Sequence, residues 1–109
     1  MFSSIRSLLN RYYESDKSQT LGLPSVAYCA QELNLSPSYF GDLIRKETGK
    51  TAHEYIQSKV IDMAKERIFD SGKSVSQIAF ELGFKYPQHF TRLFKQRVGM
   101  TPNEYRMLN

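Results

Sequence analysis

Apolar residues recur along this chain at the spacing i, i+3, i+4 and i+7, which places side chains on one face of a helix. The spacing is clearest in two short segments, where it is formed by Val26, Cys29, Ala30 and Leu33 and by Val75, Ile78, Ala79 and Leu82. No segment shows the strict alternation of apolar and polar residues that is typical of a strand. The pattern therefore predicts an all-α fold of about seven helices.

The two segments belong to a repeat. Residues 25–33 and 74–82 align at an offset of 49 and share five identical residues in nine positions. After an insertion of one residue the offset becomes 50, and it holds from Phe40 and Phe90 onward. The chain thus uses one unit of about 35 residues twice.

Each unit predicts a short helix, a tight turn and a second helix. Asn34 and Gly83 follow the short helices, and these residue types readily adopt the left-handed conformation that ends a helix. A proline occupies the first position of each second helix, where its missing N–H is not needed. The second helices cover residues 36–48 and 86–98, and each ends before a glycine. Helix, short turn, helix is the arrangement that places a second helix in a DNA groove.

A long helix is predicted between the two helix-turn-helix units. Thr51 and Glu54 have the spacing of a capping box, which marks the start of a helix. The apolar series that follows continues to Gly72, so this linker helix has about 20 residues and a length of roughly 30 Å. The predicted units are residues 1–20 for an N-terminal helix and connection, 21–50 for the first helix-turn-helix unit, 51–72 for the linker helix, and 73–109 for the second unit and a C-terminal helix.

The two ends of the chain also have helical patterns. At the start, an amphipathic helix has an apolar side formed by Phe2, Ile5, Leu9, Tyr12 and Tyr13. Residues 15–22 are predicted to be a polar connection. At the other end, a second capping-box spacing at Thr101 predicts a short last helix.

The face opposite the apolar stripe of each second helix is polar. It is formed by Ser38, Gly41, Asp42 and Arg45 in the first unit and by Gln88, Thr91, Arg92 and Lys95 in the second. In a helix that enters the major groove, such side chains meet base edges. Arg92 suits guanine O6 and N7, Gln88 suits adenine N6 and N7, and Asp42 can accept a hydrogen bond from cytosine N4.

Basic side chains flank this polar face and suit DNA phosphates, which determine affinity and register rather than sequence preference. They are Arg45, Lys46, Lys85, Lys95 and Arg97. The ring of His89 can also donate to a phosphate. The flanking charges therefore predict a backbone contact beside each base-reading face.

The length of the linker helix predicts how the two units lie on DNA. Successive major grooves on one side of B-DNA are about 34 Å apart, which is close to the predicted length of the helix. A single chain can then read two grooves as a monomer, without a twofold partner. The predicted partner is double-stranded DNA with an asymmetric site of about 17–20 base pairs.

Composition supports a polyanionic partner and a cytoplasmic location. The net charge is +4, and residues 61–109 carry eight basic and five acidic side chains, a net +3. A single cysteine, Cys29, fits a reducing compartment, and neither a membrane span nor a secretion signal is evident. The chain has no metal-ligand spacing and no arrangement of catalytic residues, so neither a cofactor nor an enzymatic activity is expected.

Three segments resemble the signature of the DNA-binding domain of the AraC/XylS family. They are Ile78-Ala-Phe-Glu-Leu-Gly-Phe84, His89-Phe-Thr-Arg-Leu-Phe-Lys95 and Gly99-Met-Thr-Pro-Asn-Glu-Tyr-Arg106, and the similarity covers about residues 20–108. The resemblance implies two recognition helices in adjacent major grooves, bacterial origin and regulation of transcription through RNA polymerase. Members of this family commonly carry a separate N-terminal ligand-sensing or dimerisation domain, so the resemblance implies either the DNA-binding part of such a regulator or a stand-alone regulator. The reading positions that it implies are Ser38, Tyr39, Gly41, Asp42, Gln88, Thr91 and Arg92.

Other classes of protein stay open. The first half is neutral and carries Gly41 and Asp42 on its polar face, which also fits a helical protein-interaction module. The DNA-docking part of a recombinase or of a nucleoid protein is a third possibility. Because Gly41 has no side chain and Asp42 repels phosphate, we expect the second unit to contribute more of any DNA affinity.

Overall fold

The computed structural model describes the backbone of residues 2–108 and the side chains of residues 4–108. All secondary structure within these residues is helical, which confirms the all-α fold. The eight helices are α1 (Phe2–Glu14), α2 (Lys17–Leu21), α3 (Val26–Glu32), α4 (Pro37–Thr48), α5 (Ala52–Arg67), α6 (Val75–Glu81), α7 (Pro87–Val98) and α8 (Pro102–Arg106).

The helix-turn-helix units are α3–α4 and α6–α7, and their turns have the same hydrogen bonds. After α3, the N–H of Leu35 donates to the carbonyl of Ala30 at 2.9 Å, and after α6 the N–H of Phe84 donates to Ala79 at 3.0 Å. Both turns contain a residue with positive φ, +59° at Asn34 and +104° at Gly83. This is the Schellman arrangement, and it confirms the predicted ends of both short helices.

Local capping explains where most helices begin. The side chains of Thr51, Ser74 and Thr101 each accept from a backbone N–H three residues later, and each forms a complete capping box. The side chain of Ser36 caps α4 in the same way, by accepting from the N–H of Tyr39. The second recognition helix, α7, is different because Tyr86 at its start makes no capping hydrogen bond through its side chain.

The segment predicted as a polar connection contains a helix instead, so residues 2–108 hold eight helices rather than about seven. Helix α2 has five residues and no apolar periodicity, so its sequence shows no helical signal. Its stabilising contact is tertiary, because the hydroxyl of Ser18 is buried and donates to the carbonyl of Glu81 at 2.7 Å. The two residues are 63 positions apart in the sequence, so a local pattern of residues cannot predict this hydrogen bond.

The linker helix is shorter than predicted. Helix α5 has 16 residues and ends at Arg67 rather than near Gly72, so its length is roughly 24 Å. Two contacts compete with its continuation. The N–H of Gly72 donates to the carboxylate of Asp70, and the carbonyl of Ile68 accepts from the guanidinium of Arg106 at 2.6 Å.

One apolar core connects the N-terminal helix with both units. Ile5, Leu8, Leu9, Tyr12 and Tyr13 of α1 are buried, which confirms the predicted apolar side of this helix; the side chain of Phe2 lies outside the described residues. Cys29 is also fully buried, and burial raises the pKa of its thiol to about 11. A protonated, inaccessible thiol is a core group and not a nucleophile.

Candidate nucleic-acid interface

The two recognition helices, α4 and α7, expose equivalent faces. At every position from 38 to 48, the side chain has the same class of burial as its counterpart 50 residues later. The core side of each helix is formed by Phe40 and Ile44 in α4 and by Phe90 and Phe94 in α7, and all four are fully buried. Because the buried stripes coincide, the opposite faces of both helices are free to meet a ligand.

The residues predicted to face bases lie on this open side. Ser38, Asp42, Gln88 and Arg92 are exposed, and Tyr39 has 53% of its surface accessible, so Tyr39 does not pack into the core. Gly41 and Thr91 are half-buried at equivalent positions of the two helices. The predicted base-facing set is therefore accessible, with Gly41 and Thr91 nearest the helix-packing side.

The cations predicted to contact phosphates are exposed, and none of them forms an ion pair with a described residue. They are Arg45, Lys46, Lys85, Lys95 and Arg97. Within the part of the chain that the structure describes, the one salt bridge joins Lys73 and Glu81. Asp42 likewise forms no ion pair there with Arg45 or Lys46. A cation without an ion pair loses no carboxylate partner when a phosphate binds, which favours an anionic ligand.

Aromatic and basic side chains lie close together at the start of α7. The rings of Tyr86 and His89 meet edge to face with centroids 5.3 Å apart, and the ammonium of Lys85 lies 5.6 Å from the Tyr86 ring. All three side chains are exposed. The side chains of Lys85 and His89 thus flank the end of the helix that carries Gln88.

Arg97 differs from the other predicted phosphate contacts because its guanidinium is directed toward the linker helix. It donates to the amide oxygen of Gln57 at 2.8 Å and to the hydroxyl of Ser58 at 3.3 Å. Helical spacing explains this orientation, because Arg97 follows the buried Phe90 and Phe94 at i+7 and i+3. Sequence reasoning overlooked Gln57 and Ser58, because their only signal is an exposed polar pair on a helix.

The same face of α5 contacts the C-terminal ends of both recognition helices. The hydroxyl of Ser58 also accepts from Lys50 at 3.2 Å, and Lys50 directly follows the glycine that ends α4. Glu54, on this face, has a pKa below its usual range, chiefly because the backbone and side chain of Thr51 hydrogen-bond its carboxylate. The positive charges of Arg97 and Arg45 lower it further. Both helices therefore end beside one surface of the linker.

Replacing Arg97 by alanine is expected to lower thermal stability without changing the salt dependence of DNA binding. Two exposed hydrogen bonds to α5 are lost, which costs about 0.5–1 kcal/mol and lowers Tm by about 2–8 °C. Thermal unfolding and fluorescence anisotropy across a salt series measure both effects. Lys95→Ala is the control. It should lower the slope of log Kd against log salt concentration by about 1. An equal loss of slope in Arg97→Ala would contradict a role confined to contacts with α5 and would support the phosphate contact predicted from the sequence.

Two helix-turn-helix units with open, polar recognition helices, the second of them basic, define a DNA-binding domain by architecture. Comparison with known proteins agrees with this class. A family model described as a helix-turn-helix domain matches residues 29–107. The chain belongs to this family, the AraC-type helix-turn-helix proteins.

Several relatives and solved structures with this similarity are regulators of transcription. The probable transcriptional regulator LumQ of Photobacterium leiognathi is 33% identical over 101 residues, which are 90% of this chain and 38% of LumQ. The C-terminal domain of the response regulator yesN from Fusobacterium nucleatum has a TM-score of 0.79 at 22% identity and covers 95% of both chains. The DNA-binding domain of the global transcriptional factor AdpA, solved with a target DNA, has a TM-score of 0.77 at 20% identity and covers 95% of this chain and 90% of its own.

The chain corresponds to a part of each of the curated relatives compared with it. It spans between 6% and 47% of the length of the curated proteins that it matches. None of the helices in residues 2–108 is both long enough and apolar enough to cross a membrane.

Proposed function

We propose that this chain binds double-stranded DNA in a sequence-specific manner, with α4 and α7 in two major grooves, and thereby regulates bacterial transcription. The observation that carries the proposal is the repeated burial pattern of positions 38–48 and 88–98, which leaves two equivalent polar faces open. If α4 and α7 served only to pack in the core, they would not need equivalent exposed polar faces. The AdpA domain, which has the same fold, was solved on its target DNA.

Base recognition is assigned to the open faces. In α7, Arg92 would bind guanine and Gln88 adenine, and Thr91 lies between them at the packed edge. In α4, Ser38, Tyr39, Gly41 and Asp42 occupy the equivalent places. Phosphates would be held by Arg45, Lys46, Lys85, His89 and Lys95, whereas Arg97 has polar partners on α5. The second unit is thus expected to supply more of the affinity.

One chain contains both reading helices, so we propose that the domain binds an asymmetric site of about 17–20 base pairs as a monomer. The intact regulator would act on RNA polymerase from the cytoplasm, in response to a ligand sensed elsewhere in the protein. The family resemblance supports these last assignments.

Selection from a random duplex pool, followed by fluorescence anisotropy, tests the proposal. We expect the selected sequence to bind at least about 10³-fold more tightly than a scrambled duplex. Log Kd should change linearly with log salt concentration, because bound phosphates release counterions. Equal affinity for all duplexes at physiological salt would overturn the proposal.

A protein-interaction role is the second candidate, and one observation favours it. Leu21 and Phe80 are 64% and 51% exposed and line one open groove between α2 and α6, with a volume of about 500 Å³. Exposed apolar side chains that share a groove are typical of protein-binding surfaces. The same salt series distinguishes the candidates, because a flat response and no selected sequence would favour a protein partner.

A further inference from the structure

The carbonyls at the end of α6 accept hydrogen bonds from side chains near the N-terminus of the chain. The carbonyls in the final turn of a helix have no partner inside that helix. At the end of α6, the carbonyl of Glu81 accepts from the hydroxyl of Ser18 at 2.7 Å. The next carbonyl, that of Leu82, accepts from the hydroxyl of Tyr13 at 3.1 Å. The N-terminal helices therefore cap the first helix of the second unit.

Both donors are held in place by their own surroundings. Ser18 and Tyr13 are 2% and 4% exposed, so both donors are buried residues. The guanidinium of Arg67 lies 5.8 Å from the ring of Tyr13 and donates to the Tyr13 carbonyl at 3.2 Å. Burial raises the pKa of the Tyr13 hydroxyl, which keeps it protonated as a donor.

The first unit has no equivalent support. The carbonyls of Glu32 and Leu33 correspond to those of Glu81 and Leu82, and no described residue donates a hydrogen bond to either. Among the described residues, the hydrogen bonds at the Asn34 turn are those of its own Schellman arrangement. The capping by α1 and α2 is therefore specific to the second unit and is not a general property of the repeat.

The capped carbonyls lie where the direction of α7 is determined. They directly precede Gly83, and the buried Phe84 that follows packs against Phe90 of α7, with ring centroids 5.2 Å apart. A shift of the α6 terminus would therefore be passed to α7 through the turn and this ring contact. A rigid turn keeps a recognition helix in one register in its groove.

We propose that Tyr13 and Ser18 are positioning residues for the second recognition helix. By holding the carbonyls that end α6, they fix the turn that sets the orientation of α7, and they couple the N-terminal helices to base reading by the second unit. The inference rests on the proposed function and adds α1 and α2 to the groups that determine specificity.

The test compares two duplexes, the selected site and the same site with the half read by α7 scrambled. The ratio of the two affinities reports base reading by α7, whereas a lower fraction of folded protein changes both affinities equally. Tyr13→Phe, Ser18→Ala and the double variant remove one or both hydroxyls. We expect the ratio to fall about three- to tenfold in the double variant, with affinity for the scrambled duplex unchanged.

Ile5→Val is the matched control because Ile5 lies on α1, is buried and makes no hydrogen bond to α6. It lowers stability by removing one buried methyl group and should leave the ratio at the wild-type value. Hydrogen exchange gives a second measurement, in which the amides of Gly83 and Phe84 lose protection in the variants while that of Leu35 does not. If the double variant does not fold, the two single variants are compared in the same way.

The inference is overturned if the variants lower both affinities equally, as an unfolding defect would, or leave the ratio unchanged. A wild-type protein that bound both duplexes equally would instead overturn the part of the proposed function that assigns base reading to α7. The two failures are therefore distinguishable in one set of titrations.

Discussion

Replacing Gly83 by alanine is expected to lower the free energy of unfolding by about 2–5 kcal/mol, a large part of the stability of a small domain. Two effects combine at this position. Gly83 has a φ of +104°, and an added Cβ would lie 2.6 Å from the carbonyl carbon of Gly22. The obstructing atoms are backbone, so relief requires a shift of the α6–α7 turn away from the segment between α2 and α3. Thermal or chemical unfolding measures the loss.

Gly49→Ala is the control for the backbone conformation alone. Gly49 ends α4 with a φ of +75°, and an added Cβ would have no atom within 4 Å. Its replacement should cost about 1–2 kcal/mol, the strain of a left-handed residue. The difference between the variants then measures the contact of Gly83 with Gly22. Equal losses would show that the close approach of the two backbones contributes nothing.

Arg92→Ala is expected to reduce affinity for the selected duplex by about 1–3 kcal/mol and to relax the preference at one base pair. Arg92 is exposed on the open face of α7, and no described residue forms an ion pair with it. Its removal should therefore leave stability within about 0.5 kcal/mol of the wild type. Anisotropy with the selected duplex and its single-base variants measures the preference, and thermal unfolding checks the fold.

Lys95→Ala is the matched comparison, one turn farther along the same helix. Loss of a phosphate contact should weaken binding to every duplex alike and lower the salt slope by about 1. Arg92 would be wrongly assigned if its replacement gave this uniform loss, or if affinity and preference both stayed at wild-type values. Because both variants remove one positive charge, net charge alone cannot produce a difference between them.

The two helix-turn-helix units have the same fold but are held in place by different hydrogen bonds. The recognition helices have equal lengths and equivalent buried residues, yet α4 begins with the capping side chain of Ser36 and α7 begins without one. The carbonyls before the α6–α7 turn are instead capped by α1 and α2. A duplicated unit has thus acquired different neighbours, and the second unit depends more on tertiary contacts for its orientation.

The sequence by itself determined the class of fold, the repeat and the faces of α4 and α7. These features depend on contacts within one helical turn. Apolar residues three and four apart share a face, a capping box joins residues three apart, and a left-handed residue ends a helix locally. The recognition helices therefore lie within a residue of their predicted bounds, and Phe40 and Phe90 are buried as predicted.

Only the tertiary structure decided the features that depend on distant residues. Ser18 makes α2 a structured element through a partner 63 residues away, and Arg106 helps to end the linker helix across 38 residues. Arg97 has partners 39 and 40 residues away, on a helix face with no distinctive pattern. Such hydrogen bonds form only after the helices have packed, so no local spacing in the chain encodes them.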